Sequence, residues 1–144
     1  MAGLVTLLIL GSAVALAGGY ARTKLISVTV TGDSMRPLIA GGTRVLVRRT
    51  RRCLRGDIVL LRPSRVGPPM VKQVVAVAGD PVPAEFRQMT QASTVPDGML
   101  LIRGTAPDSM DSRQLGPLAT SDLVGVVLGR RSPAATRAAS GGSY

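Results

Sequence analysis

The pattern of apolar and polar positions changes character near residue 22. Residues Ala2 to Ala21 carry no charge and are mostly Leu, Val, Ala and Gly. A helix of that length reaches roughly 30 Å, the thickness of a bilayer's hydrocarbon core. Segment 1–21 is therefore expected to be a transmembrane anchor. A cleaved signal peptide is the competing reading, since Ala13-Val14-Ala15 and Ala15-Leu16-Ala17 are small-residue sites. No Lys or Arg precedes the apolar stretch, however, so the basic leader of a signal peptide is missing.

Beyond residue 22 the apolar period is two, and short runs alternate with turn residues. Leu25 to Thr31 is rich in β-branched residues and ends at Gly32-Asp33. Arg44 to Arg48 alternates charged and apolar positions after Gly41-Gly42, and Ile58 to Leu61 follows Gly56-Asp57. Val71 to Ala78 is the longest strand candidate and is closed by Gly79-Asp80-Pro81. Met99 to Arg103 follows Pro96-Asp97-Gly98, and Leu123 to Leu128 is the last run. No segment after residue 25 sustains a 3.6-residue period, and no internal repeat is visible. The expected fold is mainly β: one N-terminal transmembrane helix, then a small, mostly antiparallel β domain over 22–129. The tail 130–144, rich in Ser, Ala, Gly and Arg, has no apolar period and is expected to be disordered.

Composition narrows the chemistry. With two tyrosines, one phenylalanine and no tryptophan, the core must be aliphatic. Cys53 is the single cysteine, which excludes an internal disulfide and a Cys/His metal cluster. A net charge of +10 first suggests a nucleic-acid partner. Nothing supplies the aromatic platform that stacks single-stranded bases, so no nucleic acid is expected. Arg48, Arg49, Arg51, Arg52 and Arg55 fall in one short segment. Beside a membrane anchor, such arginines suit anionic headgroups, at roughly 1 kcal/mol each. A solvated loop is the plainer alternative. Arg55-Gly56-Asp57 is ordinary turn chemistry ahead of an apolar strand, not an adhesion motif.

The chain has no histidine. Any nucleophilic serine must take its base elsewhere, and every Ser-His-Asp arrangement is excluded. Ser34 lies between a strand and Pro37, and Gly32 removes bulk where a substrate backbone would approach. Backbone N–H groups of such a turn, that of Ser34 included, suit a developing oxyanion. Lys72 shares its strand face with Met70, Val74, Ala76 and Ala78, an apolar face by the two-residue period. A lysine among apolar neighbours readily becomes neutral, which is what a base requires. Snorkelling toward solvent is the alternative. Asp111 and Arg113, two apart, can lock a turn through charge-assisted hydrogen bonds or form a surface ion pair of small worth.

Four blocks in order resemble the type I signal peptidases, the S26 serine peptidases with a Ser/Lys dyad. Gly32-Asp33-Ser34-Met35-Arg36-Pro37 is similar to the nucleophile block, and Gly56-Asp57-Ile58-Val59 to a structural strand block. Val71-Lys72 through Gly79-Asp80 resembles the lysine block, and Ser109-Met110-Asp111-Ser112-Arg113 with Gly116 the final block. Three positions depart from the family pattern. Gln73 stands where the lysine block usually has arginine. Gly104-Thr105-Ala106 replaces a Gly-Asp-Asn opening and is one residue shorter. Gly32 occupies the place where some members carry a hydroxyl.

The resemblance implies Ser34 as nucleophile, Lys72 as general base and Ser109 as the residue orienting the lysine. Asp111 and Arg113 would support that loop, and the Ser34 and Gly32 backbone would serve the oxyanion. It implies a single-pass membrane endopeptidase that cleaves preproteins after small residues, Ala-x-Ala type, acts as a monomer and has no metal or organic cofactor. The substrate would bind as an added strand along a sheet edge. A positive-inside count alone would leave the domain in the cytoplasm. The family instead places it on the extracytoplasmic side. A dedicated protease for one precursor, such as a nickel superoxide dismutase, stays open. So does an inactive, membrane-tethered basic module. The anchor and the final block argue against a self-cleaving repressor.

Overall fold

Six expected strands become seven in the computed structural model, which describes residues 24–63 and 67–131. The strands are β1 (Leu25–Thr29), β2 (Arg44–Arg49), β3 (Asp57–Leu61), β4 (Met70–Val77), β5 (Met99–Arg103), β6 (Leu118–Ala119) and β7 (Leu123–Arg131). They form one sheet in the order β1-β2-β7-β3-β4-β5-β6, and every neighbouring pair is antiparallel. The expected β domain is thus present. β1 stops at Thr29, two residues before its expected end, although Val30 N still donates to Thr43 O at 2.9 Å.

The period-two pattern explains where the core lies. In β2, Val45 and Val47 are buried while Arg44, Leu46 and Arg48 are exposed. β3 is buried at every position, the mark of a strand covered on both faces. Ile58 and Leu60 join one cluster with Val30, Met35, Ile39, Val45, Val47 and Val127. Val59 and Leu61 join another with Val74, Leu100, Ile102, Leu118 and Val126. Apart from Phe86, which sits in a third, smaller cluster, the packing is aliphatic. Full burial of each such side chain favours the fold by about 1.5–3 kcal/mol.

Two loops carry the candidate chemistry. The β1–β2 connection holds Ser34, and the β5–β6 connection holds Ser109, Asp111 and Arg113. The second contains a short helix, α1 (Ser112–Leu115). Among the described residues no helix is long and apolar enough to cross a membrane. The anchor expected over 1–21 lies outside the described residues. Of the tail expected from 130, Arg130 and Arg131 belong to β7 and the rest also lies outside.

Candidate active site

The turn that presents Ser34 is pinned by its own apolar residues. Met35 and Ile39, four apart, are both buried in the β2–β3 cluster, which leaves Ser34 half-buried at the surface. Arg36 N donates to Asp33 O at 3.0 Å and Ile39 N to Met35 O at 2.7 Å, bonds that leave out the Ser34 amide. Gly32 has φ +81°, the left-handed region in which a side chain is strained, and open space surrounds it. Its conformation gives a second reason for glycine, beside the room for substrate expected from the sequence.

Lys72 is placed by β4, a strand with neighbours on both sides. Its partner in β3 is Val59, and the residue is 3% exposed. A bulge between Val74 and Ala76 interrupts the pairing with β5, so the alternation expected through Ala78 does not run unbroken. The amine Nζ donates to Ser109 Oγ at 2.5 Å. Lys72, Ser34 and Ser109 line a single cleft of about 250 Å³ with Asp33, Met70, Asp108 and Met110. Among the described residues no hydrogen bond joins Lys72 to Ser34.

Burial and the charges around the amine pull in opposite directions. Burial pushes the Lys72 pKa below its ordinary 10.5, Asp111 pulls it up, Arg113 pushes it down and Asp108 pulls it up; the net direction is down. A buried ammonium loses hydration that a neutral amine does not need.

The loop after β5 is ordered from within. Asp111 is fully buried, and its Oδ2 accepts from Gly104 N at 2.9 Å and Arg113 Nη2 at 2.8 Å. Its Oδ1 accepts from Arg113 N and Arg113 Nε, both at 3.0 Å. Burial pushes the Asp111 carboxyl up, but the Arg113 and Gly104 donors and the Arg113 charge outweigh it and hold it below 3.8. The pairing in turn raises the guanidinium of Arg113. In place of a surface ion pair of small worth stands a bidentate clamp with a buried carboxylate and a part-buried guanidinium.

Several contributors were not singled out from the sequence. Gln114 Oε1 accepts from Asp111 N at 3.0 Å, completing a capping box on α1. The Asp111-x-x-Gln114 spacing is its sequence signature. Ser112 Oγ accepts from Ile102 N at 2.9 Å, tying the helix to β5. Gly104 sits between the two halves of the site. A Cβ there would fall 1.8 Å from Ser109 Oγ and 2.7 Å from Ser34 O. Ala106 N donates to Ser34 O at 3.0 Å, so the shorter loop still reaches the serine turn.

The five arginines expected at a membrane surface are divided. Arg48 and Arg52 line one cleft with Arg130, whereas Arg49 and Arg51 line another with Lys24 and Arg62. Arg55 is exposed and lines neither.

The domain is mainly antiparallel β, and its sequence places it among the hydrolases of the peptidase class. The chain belongs to the family described as signal peptidase, peptidase S26, whose model matches residues 4–85 and 82–130. It is similar to the crystal structure of a signal peptidase I from Enterococcus faecalis V583, at 20% identity and a TM-score of 0.43. That likeness covers 52% of this chain and 96% of the other. Among curated proteins none matches.

Proposed function

We propose that the chain is a membrane-anchored serine endopeptidase that removes signal or leader peptides after small residues by a Ser34/Lys72 dyad. One observation carries the reading. In a chain without histidine, a lysine 3% exposed points its amine into the cleft that also holds a half-buried serine. Neutral Lys72 takes the proton of Ser34 Oγ as that oxygen attacks the scissile carbonyl. The Ser34 N–H, outside the hydrogen bonds of its turn, faces the oxyanion. The ammonium returns its proton to the leaving amine, and a water deprotonated by Lys72 then hydrolyses the acyl-enzyme. Ser109 acts as a positioning residue: by accepting one N–H of Lys72 it turns the lone pair of the amine elsewhere in the cleft. Apo geometry without a direct Ser34–Lys72 bond is compatible with this, because such bonds tighten when substrate binds.

A second cavity of about 270 Å³ beside Ser34, between residues 28–31 and 68–71, supports an extended substrate along the β1 edge of the sheet. The apolar 1–21 anchors the domain, which acts on the extracytoplasmic side as a monomer. Ser34→Ala and Lys72→Ala should each abolish cleavage of an Ala-x-Ala precursor while circular dichroism and melting stay native-like. Processing at an undiminished rate by either purified variant overturns the dyad. Digestion of the C-terminal tail by external protease in sealed, inside-in vesicles checks the orientation.

A further inference from the structure

We propose that the cleft where the chain enters the sheet binds the headgroups of anionic phospholipids. The inference rests on the reading of 1–21 as an anchor. The cleft has a volume of about 740 Å³ and is built by segments far apart in sequence. Lys24 precedes β1, Arg49 ends β2, Arg51 follows it and Arg62 lies just past β3. Antiparallel pairing explains the convergence. Leu25 stands opposite Arg48, Thr50 N donates to Val124 O at 3.4 Å, and Arg62 N donates to Asp122 O at 2.9 Å. The start of β1 and the ends of β2 and β3 thus meet at one end of the sheet.

The lining suits an amphipathic anion. Ile26, Val28 and Leu60 supply apolar surface beneath the cationic rim, and among the described lining residues Asp122 alone is acidic. Arg51 Nη1 donates to Ser121 O at 3.0 Å, which fixes the side chain while its other donors remain for a phosphate.

Position favours lipid over an acidic peptide. Lys24 lies three residues beyond Ala21, where the apolar stretch ends. Three residues span at most about 11 Å. The headgroup layer is on the order of 5–8 Å deep on each side of the hydrocarbon core. The cleft is therefore held within reach of the phosphates, where each cation favours an anionic surface by roughly fivefold. The surface differs from the contiguous arginine run: Arg62 joins it, while Arg48, Arg52 and Arg55 stand outside.

The absence of tryptophan provides the test, because Ser121→Trp places a single indole on the cleft's lining. The full-length variant is reconstituted in phosphatidylcholine bilayers containing, at equal mole fraction, brominated phosphatidylglycerol or brominated phosphatidylcholine. Stronger quenching by the brominated phosphatidylglycerol is expected. Adding R49Q, R51Q and R62Q should abolish that difference, whereas the charge-matched R44Q, R55Q and R87Q should preserve it. Equal quenching by both lipids in the parent, or no quenching by either, overturns the proposal. Loss of the difference in the charge-matched variant overturns it too, because net charge alone would then suffice. A larger emission shift with a soluble acidic peptide than with phosphatidylglycerol assigns the cleft to peptide. Cleavage of a soluble precursor peptide in the same preparations reports the dyad separately, so failure of one reading is not mistaken for failure of the other.

Discussion

Ser34 and Lys72 open on one cleft but are held by opposite means. The serine turn hangs on two buried apolar residues, Met35 and Ile39, and its Asp33–Arg36 ion pair, 2.7 Å long, is about 60% exposed on both sides. The lysine sits in a strand flanked by β3 and β5, faces a fully buried carboxylate clamp and hydrogen-bonds a buried serine. The difference follows from chemistry. A nucleophile must meet a substrate backbone, so its turn stays at the surface. A lysine that serves as a base must be stripped of water, so its setting is rigid and closed.

That contrast is breakable, and the largest effect should come from the closed side. Asp111→Ala leaves Gly104 N and Arg113 without their acceptor, so urea denaturation should show a loss of about 3 kcal/mol together with loss of cleavage. The comparison fails if Asp33→Ala, on the open side, costs as much; about 1 kcal/mol or less is expected there.

Gly104→Ala probes the seam between the halves. The added methyl meets Ser109 Oγ and the Ser34 carbonyl, so a stability loss of about 1–3 kcal/mol is expected. Cleavage should fall further than stability explains, because Ser109 and the serine turn both move. A variant that folds and cleaves like the parent would show that the two halves need no such close approach.

Burial of Lys72 also leaves a mark on stability. Its folded pKa lies below the ordinary 10.5, so between those two values the unfolded chain binds the extra proton. Stability therefore rises with pH across that window. Lys72→Met should remove this slope and raise the melting temperature at neutral pH, as differential scanning calorimetry can measure. Smallest of all is Asp108→Asn. It removes a charge that raises the Lys72 pKa, so the pH-rate profile should move to lower pH with little change in its maximum.

Much of this was legible in the sequence, for reasons that differ by element. Strand β3 announced itself as a continuous apolar run, and β2 by strict alternation. β6 did not, because two residues carry no period. α1 is too short for a helical period, although the Asp111–Gln114 spacing encodes its cap. The apolar neighbours of Lys72 pointed to its burial. Its bond to Ser109, across 37 residues of chain, depends on how the β5–β6 loop folds back. Gly104 opens the block that departs from the family pattern at Thr105 and Ala106, but its role needs the position of Ser34 O. The arginine run likewise looked like one patch, and only β2's alternation sends Arg48 and Arg49 to different clefts.

The pH dependence of kcat/KM for an Ala-x-Ala precursor peptide, measured on the full-length chain, tests the dyad most directly. A rate that rises with an apparent pKa below 10.5, and is lost in Lys72→Ala, is the predicted result. A rise centred near 10.5, or a profile unchanged by Lys72→Ala, would contradict a neutral Lys72 acting as the base for Ser34.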